Sequence, residues 1–200
     1  MSSYEKHDRH SIRIRGYDYS HTGMYFVTLC VKGGEHLLGE IIDGVAVLSE
    51  IGEIAERCWI EIPQHFPYVR LNEYVFMPNH AHGVIEIVGA ENYVGVENLQ
   101  PLRVNRYQQA IPRSLSSIIR GFKIGVTKCC NQHGHNHFAW QRNYYEHVVR
   151  NESELNRICE YIMNNSQQWQ FDRENPDRIR DKTYDKEWGH FEDKMFGKSK

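Results

Sequence analysis

The sequence predicts an α+β protein, a mainly antiparallel sheet with helices packed on one of its faces. Three observations predict it. Short β-branched and aromatic runs recur between helix-like stretches. Two pairs of these runs are joined by tight connections, which antiparallel neighbours allow and parallel ones do not. The helix-like stretches are inserted between strands and do not form a separate block. With 200 residues, 40% of them hydrophobic and 25% charged, the chain can bury one full core. The expected organisation is a single domain over 1–171 and a charged, apolar-poor C-terminal tail over 172–200, loosely attached.

Taken in order, residues 1–20 are polar and basic and lead into the first strand, Met24–Val31 (MYFVTLCV), bounded by Thr22-Gly23 and Gly33-Gly34. Asp43-Gly44 between two short apolar runs predicts a hairpin over 40–48. Ser49 is a suitable N-cap for a helix carrying Ile51, Ile54, Ala55, Cys58 and Trp59 at helical spacing, with Pro63 as its stop. Two strands follow, over 69–76 and 80–88, joined by Met77-Pro78-Asn79. Residues 91–112 lack periodicity and read as a connection. From Ser114 a second helix runs to about Cys130, with Leu115, Ile118, Ile119, Phe122 and Val126 in one stripe. Phe138–Trp140 is a candidate short strand. A third helix starts at the N-cap Asn151, with Glu154 at its third position, and runs to about Trp169.

Composition narrows the function. No apolar run approaches the ~20 residues that span a bilayer, and the N-terminus lacks the apolar core of a secretory signal. Five scattered cysteines form no disulfide framework, which fits a reducing, cytoplasmic setting. The net charge is −2, yet no Asp or Glu lies between Glu97 and Glu146. That stretch carries Arg103, Arg106, Arg113, Arg120, Lys123, Lys128 and Arg142, a local positive field suited to phosphates.

The chemistry centres on Tyr74–Val88, YVFMPNHAHGVIEIV. Side chains alternate along a strand, so His80 and His82 share a face and can offer two imidazole nitrogens to one divalent ion. The pair could equally be ordinary surface polarity, so the rest of the chain must decide. On the third helix, Tyr161, Asn165 and Gln168 stand at i, i+4 and i+7, along one flank of the stripe formed by Leu155, Ile158, Ile162 and Trp169. That arrangement can set a phenol beside a metal with an amide oxygen as a further ligand. Imidazole and oxygen donors together suit Mg²⁺ or Mn²⁺. Glu86 shares the face of the two histidines and is a lesser ligand candidate. Tyr144 and Tyr145 are rival nucleophiles, and Glu146 and His147 beside them are candidate supporting or DNA-contact groups. Cys129, Cys130, His133, His135 and His137 include zinc-binding residue types, but not in the paired spacing of a structural zinc site.

Three stretches resemble one family in the right order. PNHAHGVIEI (78–87) resembles the HUH motif of single-tyrosine transposases, specifically the REP-associated tyrosine transposases and their insertion-sequence relatives. WQRNYYEHVVRNESELNRICEYIMNN (140–165) resembles the C-terminal signature of that family, and SLSSIIRGFKIGVTK (114–128) the helix between the two. The resemblance implies a ferredoxin-like (RRM-like) HUH nuclease fold. It implies Tyr161 as nucleophile, and His80, His82 and Asn165 as metal ligands. Relatives often carry Asn-Pro after this helix segment, where this chain has Asn164-Asn165-Ser166, so Asn164 is an alternative third ligand, beside Gln168 and Glu86. The implied activity is nicking and joining of single-stranded hairpin DNA through a 5′-phosphotyrosine, by a monomer or homodimer. Arg113, Arg120, Lys123, Lys128 and Arg142 are the expected DNA contacts among the cations, and Tyr107 or Phe122 could stack a base. Two alternatives stand beside it: a hairpin-binding module that does not cut, and a metal-dependent phosphodiesterase that uses water.

Overall fold

The computed structural model describes residues 22–88, 113–191 and 193. Their elements are β1 (Gly23–Cys30), the hairpin β2 (Gly39–Ile42) and β3 (Val45–Leu48), α1 (Glu50–Ile60), α2 (Ile62–His65), β4 (Val69–Phe76), β5 (His80–Ile87), α3 (Leu115–Gln132), β6 (Tyr145–Val149) and α4 (Glu152–Asn164). A short helical turn, Lys182–Tyr184, then continues through one π turn, Asp185–Gly189.

Four strands make one sheet in the order β4-β5-β1-β6, with every neighbouring pair antiparallel. Counted along the chain, β6, β1, β5 and β4 are the fourth, first, third and second strands of the sheet. That is the ferredoxin-like β-α-β-β-α-β arrangement. The hairpin β2–β3 is inserted between β1 and α1, and its turn places Asp43 and Gly44 at φ 51° and 78°, the left-handed pair that a two-residue hairpin loop needs.

Both faces of this sheet are covered. On one face Tyr25, Val27 and Leu29 of β1, and Val31 just beyond it, pack with Ile54 and Trp59 of α1 and with Ile118, Phe122 and Val126 of α3. Gly83 belongs to this face: a Cβ there would lie 2.3 Å from the Trp59 indole, so glycine is what lets the ring seat against β5. On the other face Phe26 and Val84 pack with Ile158, Tyr161 and Ile162 of α4. The caps are local and legible: the Ser49 hydroxyl accepts from Gly52 N, Ser114 from Ser117 N, and Asn151 from Glu154 N.

The structure differs from the sequence reading in several places. The two crossover helices share one face, but α4 lies on the other. Strands buried on both sides read as continuous apolar runs, as MYFVTLCV does, and such a run calls for two covering layers. Tyr145–Val149, assigned to no element from the sequence, is an edge strand paired with β1. Phe138–Trp140 makes a single bridge, Trp140 to Val31, and no strand. Pro63 falls in the first turn of α2, where its missing N–H costs nothing, and so it starts a turn where a stop was expected. The third helix ends at Asn164 and not near Trp169. Beyond Phe171 the chain is not loose: Asp172 and Asn175 are buried, and Tyr184, Trp188 and Phe191 join the α4 core. Buried aromatics of this size are each worth roughly 1.5–3 kcal/mol, enough to hold a short segment down. The connection expected over 91–112, with Arg103, Arg106 and Tyr107, lies outside the described residues.

Candidate metal centre and nucleophile

On the α4 face of the sheet, polar side chains converge where β5 begins. There His80 and His82, both fully buried or nearly so, stand one pleat apart with their Nε2 atoms 3.0 Å from each other. The segment after α4 turns through a 3₁₀ turn at Trp169–Phe171 and delivers Asp172 to the same spot, with Oδ2 4.0 Å from His80 Nε2. Among the described residues, His80, His82 and Asp172 form the one group of histidine, cysteine and acidic side chains whose ligand atoms converge closely enough for a metal ion, all within 4.8 Å.

Supporting hydrogen bonds fix how these groups point. The Asn79 amide Nδ2 donates to Glu174 O (2.8 Å) and Gly34 O (3.3 Å), so its Oδ1 is the atom facing His80 Nδ1 at 2.9 Å. An amide oxygen only accepts, so His80 Nδ1 carries the proton of this bond, which fixes the ring with Nε2 toward the centre. His82 Nδ1 meets the Thr28 hydroxyl at 2.8 Å, and a hydroxyl can satisfy either tautomer. Burial, the adjacent His80 and Arg173 hold His82 well below the usual histidine range, which leaves it a neutral imidazole. Burial pushes the Asp172 carboxyl up, partly offset by His80, by a 2.7 Å bond from Glu174 N to Oδ1 and by a 3.2 Å bond from Asn165 Nδ2 to Oδ2.

These residues fit a divalent cation. Two imidazoles and a carboxyl group converge in a buried pocket, a mixed nitrogen and oxygen set of the kind Mg²⁺ or Mn²⁺ accepts. Asn165 is buried beside them, and its Oδ1 has no hydrogen-bond partner among the described residues. A buried carbonyl oxygen left over is costly unless something else takes it up.

Tyr161 is placed against this centre. Its ring centroid is 5.4 Å from that of His82 and 6.4 Å from Phe26, and it is 1% exposed. Trp188 and Phe191 pack on its other side at 5.6 and 5.2 Å, with the Arg157 guanidinium 5.5 Å from each of their ring centres and donating to Glu187 O.

The expected residues therefore separate. His80, His82, Tyr161 and Asn165 are brought together. Asp172 is an additional member, in the segment read as a tail. Asn164 and Gln168 are only half-buried, and Glu86 lies four residues along the strand from His82, about 13 Å at strand rise. Tyr145 is in register with Thr28, and so two strands from His82, whereas Tyr144 packs in the opposite core and donates to Ser116. His147 pairs with Glu154 at 3.1 Å, and Glu154 also accepts from Arg150 N, tying β6 to α4. His135 pairs with Glu50 and His133 Nδ1 lies 2.8 Å from Cys129 O, so the Cys/His loop is not gathered into a zinc site. Phe122 is core. Lys123, Lys128 and Arg142 line one cavity; Arg120 is exposed elsewhere on α3, and Arg113 sits over the Tyr68 ring. Asp172 gives little local sign in the sequence. The stripe Tyr184, Trp188, Phe191 at i, i+4, i+7 is the signal that its segment folds back.

Fold and site together define a ferredoxin-like protein with a buried His-His-Asp cluster able to hold a metal ion and a helix-borne tyrosine against it. The chain belongs to the same family as an uncharacterized protein of Haemophilus influenzae, with which it shares 42% identity over 170 residues, 84% of this chain and 93% of that one. Its fold is shared with a REP-associated tyrosine transposase solved bound to a REP hairpin, at a TM-score of 0.50 and 19% identity, over 74% of this chain and 69% of the other. No protein-family profile matches the sequence. No helix among the described residues is long and apolar enough to cross a membrane.

Proposed function

We propose that this protein is a metal-dependent transposase that nicks and rejoins single-stranded hairpin DNA. The observation that carries the reading is the Tyr161 ring set 5.4 Å from His82 at the His-His-Asp cluster. The shared fold with a transposase bound to a hairpin, and the three ordered motifs, support it.

His80, His82 and Asp172 would hold the ion, with Asn165 Oδ1 as a further donor. When bound, the ion supplies charge neutralisation at the scissile phosphate. The phenol oxygen of Tyr161 attacks phosphorus in line, the P–O3′ bond breaks, and the 3′-hydroxyl leaves carrying a proton. The product is a 5′-phosphotyrosine, which a free 3′-hydroxyl can reverse to rejoin strands. Asn79 and Thr28 hold the two imidazoles in place throughout. Trp188 and Phe191 pack against Tyr161, so a DNA strand reaches the phenol only after residues 182–191 lift.

The test is incubation with single-stranded hairpin DNA and Mn²⁺, followed by denaturing electrophoresis. A covalent protein–DNA species that requires Mn²⁺ and is lost in Tyr161→Phe supports the reading. Cleavage that survives Tyr161→Phe points to a water nucleophile. Hairpin binding with neither adduct nor cleavage, in a folded and metal-loaded sample, points to a binding module.

A further inference from the structure

A second concave surface lies on the opposite face of the sheet. The C-terminal half of α3 and residues 139–142 enclose a cavity of about 670 Å³. Lys123, Lys128 and Arg142 line it and no acidic residue does. Ile124, 56% exposed, and Trp140, 8% exposed, form its apolar floor. The Trp140 indole N–H has no hydrogen-bond partner among the described residues. Lys123 Nζ donates to Gln141 O (2.7 Å) and Asn143 O (3.0 Å), so it fastens the 139–142 wall to α3.

The location matters more than the charge. Gln141 N donates to Cys30 O, and Cys30 stands opposite His80 in the β1–β5 register. The cavity wall and the first histidine therefore flank the same end of β1. At about 4.8 Å per strand they are about 10 Å apart.

We propose that this groove binds the unpaired DNA strand next to the scissile phosphate, with its phosphates on Lys128 and Arg142 and a base on the Ile124–Trp140 floor. The inference rests on the reading of the His-His-Asp site as a nuclease centre. An unpaired strand fits better than a duplex because an apolar floor is useful only to exposed bases, and because the cavity is the size of a small-ligand site. The acid-free run from 98 to 145 keeps the local field favourable for phosphate.

The test is fluorescence anisotropy with a short fluorescein-labelled oligothymidylate, which forms no hairpin, in metal-free buffer where no covalent step occurs. Each lost phosphate contact lowers the salt slope by about 0.7 for a single strand, so Lys128→Ala/Arg142→Ala should flatten it by about 1.4. At 0.1 M monovalent salt that corresponds to about 25-fold weaker binding. The exposed pair Arg57→Ala/Arg70→Ala removes the same charge away from the groove and should keep the parental affinity. Unchanged affinity in the first double variant, equal loss in both, or no binding by the parent would each overturn the groove. A protein that binds through the groove yet forms no adduct on hairpin DNA would refute the proposed transposase alone.

Discussion

Asn79 is the sharpest place to perturb the site, because one side chain serves both of its halves. Its Oδ1 orients His80, and its Nδ2 tethers the Glu174 carbonyl beside Asp172. Replacing it by alanine removes three hydrogen bonds at a position only 3% exposed. At about 1 kcal/mol net for each bond the expected loss is about 3 kcal/mol. For a chain of this size that lowers Tm by about 6–12 °C. Groups that orient metal-bound histidines typically contribute 10–100-fold in affinity, so Mn²⁺ binding to Asn79→Ala should weaken by that factor, about 1.4–2.7 kcal/mol. Asn79→Asp keeps the acceptor for His80 and loses the two donated bonds. It should therefore lose comparable stability but retain more Mn²⁺ affinity than the alanine variant. Thermal unfolding of the metal-free proteins and calorimetric Mn²⁺ titration read the two effects separately. An Asn79→Ala protein with parental stability and parental Mn²⁺ affinity would refute the role assigned to this residue.

Three further outcomes follow from the same geometry. Tyr145→Phe should form the hairpin-DNA adduct at the parental rate, because Tyr145 stands two strands from His82; loss of the adduct with the fold intact would move the nucleophile to that residue. Trp188→Ala should destabilise the protein by at most about 3–5 kcal/mol, the range for a buried tryptophan, and should speed adduct formation by uncovering Tyr161; slower adduct formation in a folded sample would mean that the ring assists the reaction. Oligothymidylate binding should weaken as pH rises through about 8. Burial lowers Lys123 to about that value, so it is a cation below and neutral above. Anisotropy across pH 7 to 9 on the parent and on Lys123→Arg, which stays charged, checks this, and parallel profiles would contradict it.

Much of the fold was legible because local rules and tertiary needs agree. The Asp43-Gly44 turn, the Ser49, Ser114 and Asn151 caps, and the paired strands around Pro78-Asn79 all stand where turn chemistry and periodicity put them. The edge strand Tyr145–Val149 was not legible: three of its five residues, YEHVV, carry titratable groups, and Glu146 is buried through the register with β1, which no local pattern encodes. The site divided the same way. The His80–His82 spacing follows from strand alternation and the Tyr161–Asn165 spacing from the helix, so both pairs could be read. Asp172 could not, since what makes it a ligand candidate is the fold-back held by Asn79, Asn175 and the aromatic stripe from Tyr184 to Phe191. A composition rich in charge concealed a segment in which Tyr184, Trp188 and Phe191 face one way.

The most direct test of the central claim is to locate the bond between protein and DNA. The Mn²⁺-dependent adduct on a hairpin oligonucleotide, digested with nuclease and protease, should yield one nucleotide-bearing peptide in mass spectrometry, modified at Tyr161 through a 5′-phosphate. A modification at Tyr144 or Tyr145, a 3′-linkage, or cleaved DNA with no modified tyrosine would contradict the account.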